Sequence, residues 1–138
     1  MTTLGVCLSL AAALHGTPEV FVPVTEFTLA WSHSIEKVRW EEDYAVQLDT
    51  LTRQPVLQAL NARIKGSAAG MEPPPDAVWR HGWYAYTPPI KYLTELRLTR
   101  SEFTPDYDWC MHGSCQKMSD LIASDLGITR ARACFNQK

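Results

Sequence analysis

The stretch Phe27-Thr28-Leu29-Ala30-Trp31-Ser32-His33 decides the fold, together with Val38-Arg39-Trp40-Glu41-Glu42-Asp43-Tyr44-Ala45-Val46 a few residues later. In an extended chain Phe27, Leu29, Trp31 and His33 fall on one face, while Thr28, Ala30, Ser32 and Ser34 fall on the other. The second run alternates as well: Val38, Trp40, Glu42, Tyr44 and Val46 oppose Arg39, Glu41, Asp43 and Ala45. A period of two belongs to half-buried β-strands. Two such runs so close together predict an antiparallel pair with a tight turn near Ser34 to Lys37.

The pattern recurs outward from this pair. Leu4, Val6, Leu8 and Leu10 alternate with Gly5, Cys7 and Ser9, which reads as a first strand. The same run is apolar enough to suggest a secretory signal, but Met1-Thr2-Thr3 lacks the positive charge that precedes one. It is also too short to span a bilayer, and no other stretch resembles a transmembrane helix. Glu19 to Val24 is a short strand, and Pro23, which donates no ladder hydrogen bond, puts it at an edge. Leu48 to Pro55 is a polar loop. Val56 to Lys65 fits a helical period about as well as a strand, and is taken as a strand ending at Ile64.

Gly66 to Pro75, with three consecutive prolines, is an irregular connection. His81-Gly82 turns a hairpin between Val78–Arg80 and Trp83–Tyr86, and Tyr92 to Thr99 is a further strand. Tyr107–Cys110 and Cys115–Lys117 form a last hairpin, after which Ser119 caps a short helix from Asp120 to about Leu126. The expected fold is mainly β: an antiparallel β-sandwich or partly open β-barrel with a short C-terminal helix. A chain of 138 residues holds one such domain, here residues 1–122, with 123–138 as a tail or helix extension.

Net charge is −2 and the pI about 6.1, so the basic surface that nucleic-acid binding requires is missing overall. Five tryptophans (Trp31, Trp40, Trp79, Trp83, Trp109) suit either a β core or an aromatic-lined pocket.

Four groupings could carry chemistry. His33, Ser34 and Glu36 hold hydrolase-type residues, but strand alternation sends His33 and Ser34 to opposite faces and no nucleophile elbow is present. A ligand-binding His33/Glu36 pair at a turn fits better. Glu42 interrupts an otherwise apolar stripe, so it must be hydrogen-bonded or paired unless it reaches water at a sheet edge. Cys110 and Cys115 flank a short polar turn and can form a disulfide across the hairpin. With His112 they could also contribute to a zinc site, though Cys134 has no evident partner and the spacing favours a disulfide or free thiols. Gly66 and Gly70 lie in a loop whose exposed amides could cradle an anion, without the Lys-Ser/Thr of a nucleotide loop. No cofactor or metal is expected.

Several of these segments resemble the bacterial DUF1850 family. The resemblance rests on Phe27 through Lys37, on Trp40-Glu41-Glu42-Asp43-Tyr44, on Ala62 through Pro75, on the Trp83 strand and on the Cys110/Cys115 hairpin. It runs from about Leu4 to Ile122. Genes of that family commonly lie beside, or are fused to, permeases of TAXI-type TRAP transporters, which take up organic acids and similar solutes. The resemblance thus implies a non-catalytic accessory or binding domain at the cell envelope, with the permease as partner. A small anionic ligand would be held near His33, Ser34, Glu36, Glu42, Gly66 and Gly70. A small hydrolase using His33 with Glu36 or Glu42, and a zinc-stabilised structural domain, are the alternatives.

Overall fold

The computed structural model describes residues 3–12, 19–32, 38–65 and 76–136. Two antiparallel sheets make up the fold. The smaller contains β1 (Leu4–Leu10), β2 (Val20–Val22), β9 (Glu95–Thr99) and β12 (Ile128–Phe135), in the order β2-β1-β12-β9. The larger contains β3 (Glu26–Ser32), β4 (Arg39–Leu48), β5 (Pro55–Lys65), β6 (Val78–Arg80), β7 (Trp83–Tyr86), β10 (Asp108–Met111) and β11 (Ser114–Lys117). Its order is β11-β10-β3-β4-β5-β7-β6, and the short β8 (Tyr92–Leu93) pairs with β5. The sheets do not close, so the sandwich is the form realised.

The core lies between the sheets. Val6 and Leu8 of β1 and Ala131 and Ala133 of β12 pack with Phe27, Leu29, Tyr44, Val46, Leu57, Ala59 and Trp109 of the larger sheet. The Trp109 ring is fully buried and stacks on Phe27 at 4.3 Å between centroids. β3 and β4 pair in the register the alternation demands, with Phe27 opposite Tyr44, Leu29 opposite Glu42 and Trp31 opposite Trp40. Their expected turn, Ser34 to Lys37, lies outside the described residues.

β5 explains its own ambiguous pattern. Asp43 pairs with Asn61 but Tyr44 with Ala59, so Leu60 is an extra residue, a β-bulge. The bulge reverses parity: Leu57 and Ala59 face the core before it, Ala62 and Ile64 after it. The apolar positions therefore lose their period of two although the segment is a strand throughout.

Both hairpins expected from the sequence are present, and both turn on His-Gly. His81 and Gly82 have φ of 50° and 87°, His112 and Gly113 of 54° and 82°. Two consecutive left-handed residues make the turn whose twist matches paired strands.

Two expectations at the C-terminal end are overturned. Instead of a helix over Asp120–Leu126, there is one 3-10 turn, Met118–Asp120. The Ser124 Oγ and Asp125 Oδ1 accept hydrogen bonds from the amides of Leu126 and Gly127, which turns the chain rather than continuing a helix. Residues 128–135 are no tail: they form β12, which pairs with β1 on one side and β9 on the other. Tyr92–Thr99 also divides, because β8 joins the larger sheet and β9 the smaller.

Cys134 does have a partner. Cys7 and Cys134, diagonal neighbours on β1 and β12, form a disulfide across 127 positions of chain. Cys110 and Cys115, directly opposed in the last hairpin, form the second. On chain entropy alone the long loop contributes about 5 kcal/mol and the short one about 2 kcal/mol.

Candidate functional site

The inner face of the larger sheet becomes less covered toward the end where β3 stops and β4 starts. Phe27, Leu29, Tyr44 and Val46 are buried, whereas Trp31, Trp40 and Glu42 are half-buried. At this end the register aligns a row across five strands: Trp31, Trp40, Ile64, Tyr84 and Trp79. Trp31 and Trp40 stack with centroids 6.1 Å apart, and Trp31 meets Tyr107 at 5.8 Å. At the far end of the row, Trp79 is edge-on to Tyr84 at 4.8 Å and 52% exposed. The wall exists because these side chains share one parity on strands whose order the hairpins and the bulge set.

One row further in, Glu42 stands between Leu29 and Ala62, with Tyr86 next across the sheet. β4 is a central strand, so Glu42 does not sit at a sheet edge, although it stays half-buried rather than fully enclosed. The Tyr44 hydroxyl donates to its Oε1 at 2.6 Å, the hydrogen bond that a carboxylate in an apolar stripe requires. Burial, with the Glu42 charge, pushes the Tyr44 phenol well above its ordinary 10.0. Tyr86 and Tyr107 shift upward for the same two reasons. Tyr44 is thereby held as an O–H donor to Glu42, while Tyr86 and Tyr107 feel the carboxylate through its charge alone. Chemically, the site offers flat aromatic surface beside one half-buried carboxylate.

His33, Ser34, Glu36, Gly66 and Gly70 lie outside the described residues. Of the residues picked out from sequence as ligand-binding, Glu42 alone is described. The sequence reading missed Tyr44, Tyr86 and Tyr107 as its companions. Tyr44 shares the parity of Glu42 two residues away, and was there to be read; Tyr86 and Tyr107 come from distant strands and were not.

The outer face of the same sheet differs in kind. Arg39 bridges Glu41 and Asp108, Arg63 bridges Glu41 and Asp43, and Lys117 bridges Asp108, at 2.7–3.0 Å. Thr28 donates to Asp43 at 2.6 Å. Burial works against ionised Asp43, but hydrogen bonds from Arg63 and Thr28 outweigh it and hold the carboxyl below its usual value. In this network the three cations and three acids balance one another.

The zinc alternative fails on the cysteines. All four are in disulfides, which leaves no thiolate for a metal. Among the described residues no three His, Cys, Asp or Glu side chains group as a metal site, and no helix is long and apolar enough to cross a membrane.

No curated protein and no solved structure matches the chain. A family model does match, over residues 27–118, which takes in all of the larger sheet but Glu26 and leaves β1, β2 and β12 of the smaller one outside. The chain belongs to the family described as Domain of unknown function (DUF1850).

Proposed function

We propose that this domain is a non-catalytic binding module of a TAXI-type TRAP uptake system, and that it docks on the permease through the aromatic end of its larger sheet. The transporter comes from the gene neighbourhood that the family resemblance implies. The observation that carries the docking face is the half-covered row Trp31, Trp40, Tyr84 and Trp79 beside the hydrogen-bonded Glu42. Tryptophan and tyrosine dominate the energetic centres of protein interfaces, because they bury much area with few rotamers to freeze. The half-buried carboxylate among them favours a partner that brings an N–H or O–H donor. Glu42 repels a small organic anion, so the permease fits this end better than the solute does. Two disulfides support the envelope side, where oxidising conditions preserve them.

The test is co-purification of the full chain with a TAXI-type TRAP permease, in mild detergent. Retention through size exclusion supports the proposal. No retention, with the domain shown folded by near-UV circular dichroism, contradicts it.

A further inference from the structure

The two disulfides differ in everything that governs their chemistry. Cys7 and Cys134 are 4% and 3% exposed. Cys115 is exposed and Cys110 half-buried. The Cys110–Cys115 pair borders a cleft of about 360 Å³ on the outer face of the larger sheet, beside Thr28, Asp43, Asn61 and His112. That volume is within the range of small-ligand sites. The hairpin it closes is also held by other means. Trp109 and Met118, on either side of it, are fully buried. The Met118 amide donates to the Tyr107 carbonyl at 2.9 Å, and Lys117 bridges Asp108 at 3.0 Å. A cross-link between strands already paired and anchored is not what keeps them together.

We infer that Cys110–Cys115 is a thiol–disulfide exchange site whose redox partner is an external dithiol, with Cys115 as the sulfur attacked. Exchange needs a thiolate to reach one sulfur, and Cys115 is the accessible one. One thiolate of the dithiol attacks Cys115 Sγ; the Sγ–Sγ bond breaks, and Cys110 leaves as a thiolate that takes a proton from water. The second thiolate of the dithiol then attacks the mixed disulfide. Cys115 is released and protonated, and the dithiol ends as a disulfide. Two electrons pass to the protein, and the reverse sequence restores the cross-link. Cys7–Cys134 is the structural bond and takes no part. The exchange site lies on the sheet face opposite Glu42, so it does not depend on the docking proposal.

The experiment treats the native full chain with increasing dithiothreitol, blocks free thiols with iodoacetamide, and maps labelled peptides by mass. Near-UV circular dichroism is recorded in parallel. Cys110 and Cys115 are expected to label at least about tenfold faster than Cys7 and Cys134, with the tryptophan signal retained. Equal rates, or labelling only as that signal is lost, overturn the inference. The double variant C110S/C115S is expected to fold with the parental near-UV spectrum. Its failure to fold shows the bond to be structural and overturns the inference too.

Discussion

Glu42 shows how one residue reports on a whole sheet. A carboxylate in an apolar stripe must find a donor, and Tyr44 supplies it at 2.6 Å. The Tyr44→Phe variant removes that donor and leaves Glu42 half-buried without it; the expected loss is about 1–2 kcal/mol by urea unfolding. Because the phenol pKa is raised in the folded state, its stabilisation is complete below the ordinary 10.0 and declines as pH rises above it. Tyrosinate absorbance during alkaline titration is expected to show Tyr44 resisting ionisation until the chain unfolds. Arg100 makes the complementary case in charge. Its side chain is 1% exposed, with Nε and Nη2 donating to the two Asp106 oxygens at 3.0 and 2.8 Å and Nη1 to Thr129 Oγ1 at 3.2 Å. Asp106→Ala strands the guanidinium and is expected to cost about 3 kcal/mol. Burial opposes ionised Asp106, yet Arg100 holds the carboxyl below its usual 3.8. Stability from this pair is therefore present above that value and lost as pH falls through the folded-state pKa, visible as a steep fall in Tm below about pH 4. The need for a donor at Glu42 was legible from alternation alone. Arg100 was not, since a single arginine after a strand carries no mark of burial.

At the scale of elements, local chemistry was most readable where it was most constrained. The two His-Gly hairpins followed from turn chemistry, and both form. An added Cβ at Gly113 meets nothing within 4 Å, so Gly113→Ala tests the backbone alone. At φ +82° the expected cost is about 1 kcal/mol, measured as a lowered urea midpoint. Legibility failed where one residue broke a period. The Leu60 bulge gave β5 a helical look, and the break at Thr94 let one apolar run serve two sheets as β8 and β9. The expected helix beyond Ser119 failed for a related reason: Ser124 and Asp125 bind the following amides, and the chain turns before a second helical turn can form.

The whole molecule depends on contacts between its ends, which periodicity does not reveal. β1 and β12 are the central strands of the smaller sheet, and Cys7–Cys134 ties them together. Truncation after Ile122 removes β12 and is expected to abolish cooperative unfolding, since β1 and β9 then lose their shared neighbour. Class, sandwich form and most strands could be read from alternation, but the placement of residues 128–135 could not, because pairing over such a span leaves no local trace. The same holds for the aromatic row: each tryptophan was visible, while their alignment needed the strand order. That alignment makes the proposed docking face, and binding to the permease tests it. The purified chain is titrated onto a TAXI-type TRAP permease, the proposed partner, in nanodiscs, alongside Glu42→Gln and Trp79→Ala, variants on the proposed docking face, and Lys117→Ala, a variant on the opposite face. Saturable binding is expected, about tenfold or more weaker for the first two variants and unchanged for the third. Absence of binding by the folded parent chain, or equal binding by all four proteins, contradicts it.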